Sequence, residues 1–280
     1  MSTTSSVEGH DLFDHLHDLP PVEIVYTDLD GTLLGRNGSV LHDADGAPDD
    51  RAVRALVAAA QSGVAVVGVS GRAARMLEQN ARLLGLDGAI AEVGAVIIRG
   101  REHHFEWGEA PRGIADDPRQ TLDAVGAADV LFELYPDDLR YYEPWDQGRE
   151  GDCLLVGLVD TGRCDQALAE AGIGWAKIVD NGLTRGWRGR DDVRAYHLVA
   201  RGVGKARAVA DDLIARGIPA DRAMAVGDSL EDQTMAEVVG TYVIVGNGHG
   251  EPGGNRFTVT GRNGAGVAQA VTAALRRSGR

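Results

Sequence analysis

Cysteine, lysine and aromatic residues are scarce in this chain of 280 residues. The two cysteines, Cys153 and Cys164, are too few for a disulfide framework, so we expect reduced, packed thiols. No apolar run approaches the roughly 20 residues that a membrane-spanning helix needs, and we therefore expect no membrane partner. The composition, 44% hydrophobic and 25% charged, is that of a globular protein and excludes collagen-like and disordered classes.

Lysine is almost absent as a source of positive charge. Of the 28 basic residues only Lys177 and Lys205 are lysines, and the other 26 are arginines. A lysine in such a chain indicates a position that needs a compact ammonium group rather than a planar guanidinium.

The charge balance is acidic, with 42 acidic residues against 28 basic ones and a formal charge of −14. This balance disfavours nucleic acid as a partner, because sequence-independent binding of DNA or RNA needs a basic surface. Residues 1–20 contain no lysine or arginine and no apolar core, so they do not resemble an export signal. We expect a cytoplasmic protein with residues 1–20 as a mobile tail; the sequence says nothing about its oligomeric state.

Apolar runs alternate with amphipathic segments near both ends of the chain. Runs at 64–69 and 223–226 are typical of strands buried on both faces, and a helix is predicted over 231–239. The pattern predicts an α/β fold with a doubly wound parallel sheet, the core being formed by residues 21–101 and 196–280. Residues 102–195 contain both cysteines and all four tryptophans, and we interpret them as an inserted α+β domain.

Two acidic clusters follow predicted strands. The first is Asp28-Leu-Asp30-Gly-Thr, and the second is Gly227-Asp-Ser-Leu-Glu-Asp232. Ligands of open α/β sheets bind at the carboxyl ends of strands, so Asp28, Asp30, Asp228 and Asp232 are candidate site residues. The alternatives are a solvated turn for the first cluster, and a helix cap by Asp228 or Ser229 for the second.

Two further motifs suit an anion. Ser70-Gly71-Arg72 follows the strand at 64–69, where a hydroxyl and free backbone N–H groups at a helix start can bind phosphate. Ser70 can equally be a plain helix cap. Lys205 follows Gly204, but the G-x-x-x-x-G-K-[ST] nucleotide motif fails because Val199 and Ala206 stand at two of its positions.

Taken together, the acidic residues call for a cation. Two like charges about 4 Å apart repel by roughly 4 kcal/mol at an effective dielectric constant of about 20, and they also repel phosphate. Mg²⁺ prefers oxygen ligands and resolves both repulsions. One aspartate can then attack phosphorus while a second transfers protons.

The four motifs, in this order, resemble those of the haloacid dehalogenase (HAD) superfamily of phosphatases, over about residues 22–261. The insert between Arg72 and Lys205 resembles the C2-type cap of subclass IIB, which includes Cof-type, sucrose-phosphatase-like and mannosyl-3-phosphoglycerate-phosphatase-like proteins. The resemblance therefore implies a Rossmann-like HAD core, with residues 102–195 as the cap domain.

The resemblance also implies residue roles. Asp28 would be the nucleophile and Asp30 the general acid and base. Mg²⁺ would be held by Asp28, the carbonyl oxygen of Asp30, and Asp228, with Asp232 in support. Ser70, Gly71, Arg72 and Lys205 would bind the phosphoryl group of a small phosphate ester. One departure is Glu231, where many subclass members have asparagine.

Three functions are compatible with these residues. The first is a Mg²⁺-dependent phosphatase acting on a small phosphorylated metabolite, with a sugar phosphate favoured. The second is a phosphotransferase or mutase of the phosphomannomutase type, and the third is a non-enzymatic module on a retained fold. The patch of Trp145, Tyr141 and Tyr142 could stack on a sugar, although cap core or rim is its more common role; His197 is interpreted as structural.

Overall fold

A computed structural model describes residues 12–184, 187, 189–190 and 192–277. The α-helices of this described part are α1 (Leu12–Asp18), α2 (Arg51–Gln61), α3 (Ala74–Leu84), α4 (Pro118–Ala124), α5 (Ala127–Leu134), α6 (Thr161–Glu170), α7 (Lys205–Arg216) and α8 (Gly264–Arg277). Its strands are β1 (Ile24–Asp28), β2 (Ala65–Val69), β3 (Gly88–Ala91), β4 (Val96–Arg99), β5 (Glu102–Phe105), β6 (Leu139–Tyr141), β7 (Cys153–Gly157), β8 (Ala176–Leu183), β9 (Arg194–Ala200), β10 (Ala223–Gly227), β11 (Thr241–Ile244) and β12 (Arg256–Thr258).

The chain forms two compact units. Among the described residues, the first unit comprises those up to residue 67 and those from residue 210 onward, and the second comprises those between 68 and 209. These limits fall inside β2 and α7. The division into a core of 21–101 with 196–280 and an insert of 102–195 stays a prediction.

The first unit contains a parallel sheet in the order β12-β11-β10-β1. Ile24 pairs with Ala223, and Met224 pairs with Thr241. Every residue of β1, β10 and β11 is buried, and for β10 this agrees with the apolar run at 223–226. Helix α2 packs against α8. The predicted α/β fold with a mainly parallel sheet is confirmed.

Helix α1 lies within the segment that the sequence suggested was a mobile tail. Leu12 and Leu16 are four residues apart, so they share one face of the helix, and both are buried. α1 contacts α8, and the Nε2 atom of His15 lies 3.0 Å from the carbonyl oxygen of Gly240. The prediction is therefore corrected for residues 12–18, because apolar burial anchors them; residues 1–11 of the predicted tail lie outside the described residues.

The second unit contains two antiparallel arrangements. Strands β3, β4 and β5 pair in succession, and β6, β7, β9 and β8 form a separate four-stranded sheet in that order. Residues from α4, α5 and α6 join β7 and β9 in one apolar cluster. This is the α+β arrangement predicted for the insert. Its sheet continues to Ala200, since β9 pairs with β8 up to that residue.

The cysteines belong to this second core. Cys153 and Cys164 are buried free thiols, as predicted. Burial raises the pKa of the Cys164 thiol to about 12, which keeps it protonated and unreactive at neutral pH. Among the described residues, no helix combines the length and apolarity needed to cross a membrane.

Candidate active site

Three of the four predicted carboxylates meet in the first unit. Asp28 is the last residue of β1, Asp228 directly follows β10, and Asp232 begins a 3-10 helix over Asp232–Glu237. One carboxylate oxygen from each lies within 4.8 Å of the other two. Because β1 and β10 are parallel neighbours, their carboxyl ends meet at the same sheet edge.

This cluster fits a hard divalent cation. Its donor atoms are carboxylate oxygens, which Mg²⁺ prefers, and Asp28 and Asp232 are almost fully buried. Buried carboxylates at this spacing repel one another unless positive charge or hydrogen-bond donors compensate. The Thr32 hydroxyl donates to Oδ1 of Asp228 at 2.7 Å and supplies part of that compensation.

Asp232 also fixes the turn that carries Asp228. Its Oδ2 atom accepts hydrogen bonds from the Ser229 hydroxyl at 2.7 Å, the Ser229 N–H at 3.0 Å and the Asp228 N–H at 3.3 Å. The hydroxyl oxygen of Ser229 accepts from the Asp232 N–H at 3.2 Å. The N-cap residue of this short helix is Glu231, so neither Asp228 nor Ser229 occupies the predicted cap position. The helix predicted over 231–239 is shorter and of the 3-10 type.

The turn after β1 passes very close to Asp228. Gly31 has φ +91°, and a Cβ atom placed there would lie 2.5 Å from Oδ2 of Asp228. Glycine therefore provides both the backbone conformation and the clearance. Asp30 is exposed, in contrast to buried Asp28.

Two asparagines hold this turn, and the sequence analysis missed both. Asn247 donates through Nδ2 to the carbonyl oxygen of Gly31 at 2.8 Å, and its Oδ1 accepts from the Asn263 N–H at 2.7 Å. Asn263 in turn donates to the carbonyl oxygen of Leu34 at 2.8 Å. The position of Asn247 directly after a strand and Gly246 was the signal that could have identified it.

In the second unit, the Ser70–Ala73 loop joins β2 to α3. Ser70 is buried, and its hydroxyl oxygen accepts from the Arg72 N–H at 3.3 Å. The predicted alternative role of Ser70 as a helix cap is wrong, because α3 begins at Ala74 after an Ala73 N-cap. The Ala74 N–H donates instead to Oε1 of Glu92, at 2.8 Å.

A strained turn over Glu92–Gly94 joins the Ser70–Ala73 loop to Lys205. The N–H of Glu92 donates to the carbonyl oxygen of Arg72 at 3.1 Å. A Cβ atom on Gly94 would lie 3.0 Å from the amide nitrogen of Lys205, which is the buried first residue of α7. The structure therefore places both of the predicted phosphate-binding motifs, Ser70-Gly71-Arg72 and Lys205, beside one short turn. Val93 adopts φ +52°, which is rare for a β-branched residue.

Glu92 of this turn also belongs to a buried network of charged and hydrogen-bonded side chains. The other members of the network are Arg149, Asp152 and His197. Nη1 of Arg149 donates to Oδ1 of Asp152 at 2.6 Å, and Nδ1 of His197 lies 2.5 Å from Oδ2. Glu92 accepts through Oε2 from the Gly151 N–H at 2.7 Å. The sequence analysis missed the network except for interpreting His197 as structural.

The two acids of this network are shifted in opposite directions. Burial and the neighbouring charge of Asp152 raise the pKa of Glu92 to about 8. Burial alone would raise the pKa of Asp152 too, but the attraction of Arg149 and His197 outweighs it and lowers that pKa to about 2. Asp152 is therefore the ionised partner at neutral pH.

The model of a known protein family matches this chain over residues 25–142 and 190–271. That family is described as haloacid dehalogenase-like hydrolases. The chain belongs to this family. The resemblance inferred from the four motifs is thereby confirmed, and with it the prediction of an enzyme.

Individual relatives of this HAD-like hydrolase are distant. A phosphoglycolate phosphatase from Methanoculleus marisnigri is 24% identical over 227 residues, which cover 81% of this chain and 85% of the relative. A haloacid dehalogenase-like hydrolase from Bacteroides thetaiotaomicron has a TM-score of 0.63 at 19% identity, covering 90% and 98% of the two chains. The sucrose-phosphatase from Synechocystis sp. PCC6803, solved with sucrose and phosphate, has a TM-score of 0.61 at 16% identity, covering 91% and 98%.

We predict that Gly31→Ala is more damaging than a glycine substitution of equal backbone strain. Gly113 has φ +94°, close to the +91° of Gly31, but a Cβ there meets nothing within 4 Å. Gly31→Ala should lower the free energy of unfolding by about 2 kcal/mol more than Gly113→Ala, through overpacking against Asp228. Urea denaturation measures this difference, and calorimetric Mg²⁺ titration should show weaker binding for Gly31→Ala alone. Equal losses for both variants would contradict the role given to Gly31.

The raised pKa of Glu92 predicts a pH-dependent stability. Between its ordinary value of 4.5 and about 8, the folded state keeps a proton that the unfolded state loses. The contribution of Glu92 to stability therefore falls as pH rises through this window. Glu92→Gln should flatten the dependence, although it lowers stability overall by placing an amide donor against the Gly151 N–H.

Denaturation curves at several pH values between 4.5 and 8 measure this slope. Glu102→Gln is the matched control, because the side chain of Glu102 is 82% exposed and lies outside the network. An unchanged slope in Glu92→Gln would show that another group is responsible.

Proposed function

We propose that this HAD-like hydrolase is a Mg²⁺-dependent phosphatase that hydrolyses a small phosphorylated metabolite of the sugar phosphate class. The observation that carries the proposal is the convergence of Asp28, Asp228 and Asp232, whose carboxylate oxygens lie within 4.8 Å of one another. The phosphoglycolate phosphatase and sucrose-phosphatase among its relatives support the same chemistry. We expect the protein to act in the cytoplasm.

The metal would be held by Asp28, Asp228 and the backbone carbonyl of Asp30, with Asp232 in support. When bound, Mg²⁺ supplies positive charge that offsets the carboxylates and polarises the phosphoryl oxygens. The hydrogen bonds that Asp232 accepts from Asp228 and Ser229 suit its supporting role, because they hold the Asp228 turn in place.

Asp28 is proposed as the nucleophile. Its carboxylate attacks phosphorus, the bond from phosphorus to the leaving oxygen breaks, and an aspartyl-phosphate forms. Asp30 donates its proton to the leaving oxygen. As a carboxylate it then takes a proton from the water that attacks the aspartyl-phosphate, which releases inorganic phosphate and restores Asp28.

The remaining predicted residues would hold the phosphoryl group. The Ser70 hydroxyl, the Gly71 N–H and the Arg72 guanidinium are hydrogen-bond donors of the kind that bind phosphate oxygens. The Lys205 ammonium adds a compact positive charge that offsets the negative charge developing during transfer.

Trp145 supports a substrate with a sugar-like body. Its carbonyl oxygen accepts from Nε of Arg149 at 3.2 Å, and Nη2 of the same guanidinium donates to the carbonyl oxygen of Gly71 at 2.8 Å. The Trp145 residue is nevertheless 49% exposed. An exposed aromatic residue whose backbone is tied this closely to the Ser70–Ala73 loop is suited to stacking on the face of a ring.

Phosphatase activity depends, on this proposal, on Asp28 and Mg²⁺. With an aryl phosphate and a hexose phosphate as substrates, Asp28→Asn should lower kcat by about 1000-fold or more, because the amide is a poor nucleophile. A chelator should abolish turnover and Mg²⁺ should restore it. The control is Asp45→Asn in the same unit, where the Asp45 side chain is 77% exposed and pairs with Arg262.

Product analysis in the same assay separates hydrolysis from group transfer. Free phosphate is the expected product. A positional isomer of the hexose phosphate would instead support the phosphomutase alternative. Mg²⁺-dependent turnover that survives in Asp28→Asn would overturn the mechanism.

The substrate class is tested at Trp145. Trp145→Ala should raise KM for a preferred sugar phosphate by about tenfold, since a stacking contact contributes about 1 kcal/mol or more. Trp145→Phe should preserve most of the affinity, and a two-carbon phosphate ester that lacks a ring should be unaffected by either change. Equal losses for the ring-containing and ringless substrates would assign Trp145 a structural role instead.

A further inference from the structure

His197 is a fully buried imidazole with one unsatisfied nitrogen. It lies on β9 and is 0% exposed. Its Nδ1 faces the ionised carboxylate of Asp152 at 2.5 Å, so this nitrogen carries the hydrogen. Its Nε2 has no hydrogen-bond partner among the described residues. A buried polar atom without a partner is unfavourable, and its retention requires an explanation.

The unsatisfied nitrogen faces the Ser70–Ala73 loop. A Cβ atom placed on Gly71 would lie 3.1 Å from Nε2 of His197 and 3.3 Å from Cε1. The φ angle of Gly71 lies outside the left-handed region, so its backbone conformation is open to alanine. The nearest atoms that a side chain would meet there are those of the imidazole.

Arg149 forms a hydrogen bond with the carbonyl group of Gly71. Nη2 of Arg149 donates to the Gly71 carbonyl oxygen at 2.8 Å, while Nη1 donates to Asp152 at 2.6 Å. Arg149 and Asp152 are both almost fully buried. One carboxylate therefore orients both the imidazole that faces Gly71 and the guanidinium that donates to its carbonyl oxygen.

We infer that His197 and Arg149, both oriented by Asp152, are positioning residues that set the conformation of the Ser70–Ala73 loop for binding a phosphoryl group. The inference rests on the proposed function, because that function assigns the loop to phosphate. It adds that residues far along the chain, within the segment predicted as the insert or just after it, control the affinity of that loop.

Buried charges suit this task better than apolar packing does. A guanidinium whose three nitrogens bond to Asp152, Gly71 and Trp145 has its orientation fixed by direction-dependent contacts. Burial by itself would raise the pKa of Asp152, but Arg149 and His197 lower it to about 2. The carboxylate consequently stays ionised, and holds both partners, across the neutral range.

The first test replaces His197 by asparagine. The amide nitrogen of Asn can still donate to Asp152, while the ring nitrogen that faces Gly71 is removed. His197→Asn should weaken the binding of inorganic phosphate in the presence of Mg²⁺, and raise KM, by roughly tenfold with a smaller change in kcat. Calorimetry with inorganic phosphate measures the affinity independently of turnover.

His103→Asn is the matched control. Nδ1 of His103 lies 2.5 Å from Oε2 of Glu150, which makes it a second histidine–carboxylate pair in the same unit. His103→Asn should leave phosphate affinity within about twofold of the wild type, since the ring nitrogens of His103 face Glu150 and Glu78. Thermal melts of both variants separate a general loss of stability from a loss of phosphate binding.

The second test couples His197 to Gly71. Gly71→Ala alone should weaken phosphate binding by roughly tenfold, because its Cβ meets the imidazole. In the His197→Asn background the same substitution should have an effect of less than about threefold, since the obstacle is gone. Arg149→Lys is a second variant in case His197→Asn does not fold, and it should show the same loss because lysine cannot bond Asp152, Gly71 and Trp145 together.

The outcomes separate the two proposals. If the wild type hydrolyses phosphate esters but His197→Asn and Arg149→Lys bind phosphate as His103→Asn does, or if the Gly71 effect is simply additive, the positioning role is wrong and the proposed function stands. If the wild type neither binds inorganic phosphate nor hydrolyses any ester, both proposals fall.

Discussion

Mutual repulsion among the carboxylates of Asp28, Asp228 and Asp232 is the constraint around which the first unit is organised. Three oxygens within 4.8 Å of one another are unfavourable unless donors or a cation offset their charge. Parallel pairing of β1 with β10 brings two of the three to one sheet edge, and the backbone and hydroxyl donors of Ser229 fix the third. The geometry fits a divalent cation.

The second unit organises its loop by a different means. Helix α3 has no side-chain cap from its own N-cap residue; Glu92 supplies the acceptor from 18 residues away in the sequence. The left-handed Glu92 and Val93 are strained, by about 1–3 kcal/mol each in general, and the buried charge network holds them in place. Strain retained at a turn between Ser70 and Lys205 is consistent with a site in which backbone placement matters more than local stability.

The features that could be predicted from the sequence are those that depend on residues close together in the chain. Buried parallel strands appear as unbroken apolar runs, and acidic residues that directly follow such runs mark the sheet edge, which is why Asp28 and Asp228 were identified. Partners chosen by tertiary packing leave no such pattern. Glu92 and Asn263 act on backbone groups remote in sequence, and nothing in their neighbours indicates which groups those are.

Helix α1 and the 3-10 helix at Asp232 show the same limit. Two leucines at helical spacing, Leu12 and Leu16, are too few to distinguish a packed helix from a mobile tail. The distinction depends on the surface of α8, which the local sequence does not reveal. The segment after Asp228 has helical composition, but the hydrogen bonds of Asp232 to the preceding turn tighten its first residues. In both cases the local preference is decided by a contact that lies outside the segment.

The contacts of Gly71 have a consequence for recombination between relatives. A chimaera that exchanged the segment from β6 to β9 with that of another family member would also exchange the donor to the Gly71 carbonyl and the imidazole ring that faces Gly71. Residues 71, 92, 149, 152 and 197 are therefore one set of spatial neighbours, although they span 127 positions of the sequence. A graft of that segment would keep these contacts only if the new segment also presented a donor to the Gly71 carbonyl and to Glu92.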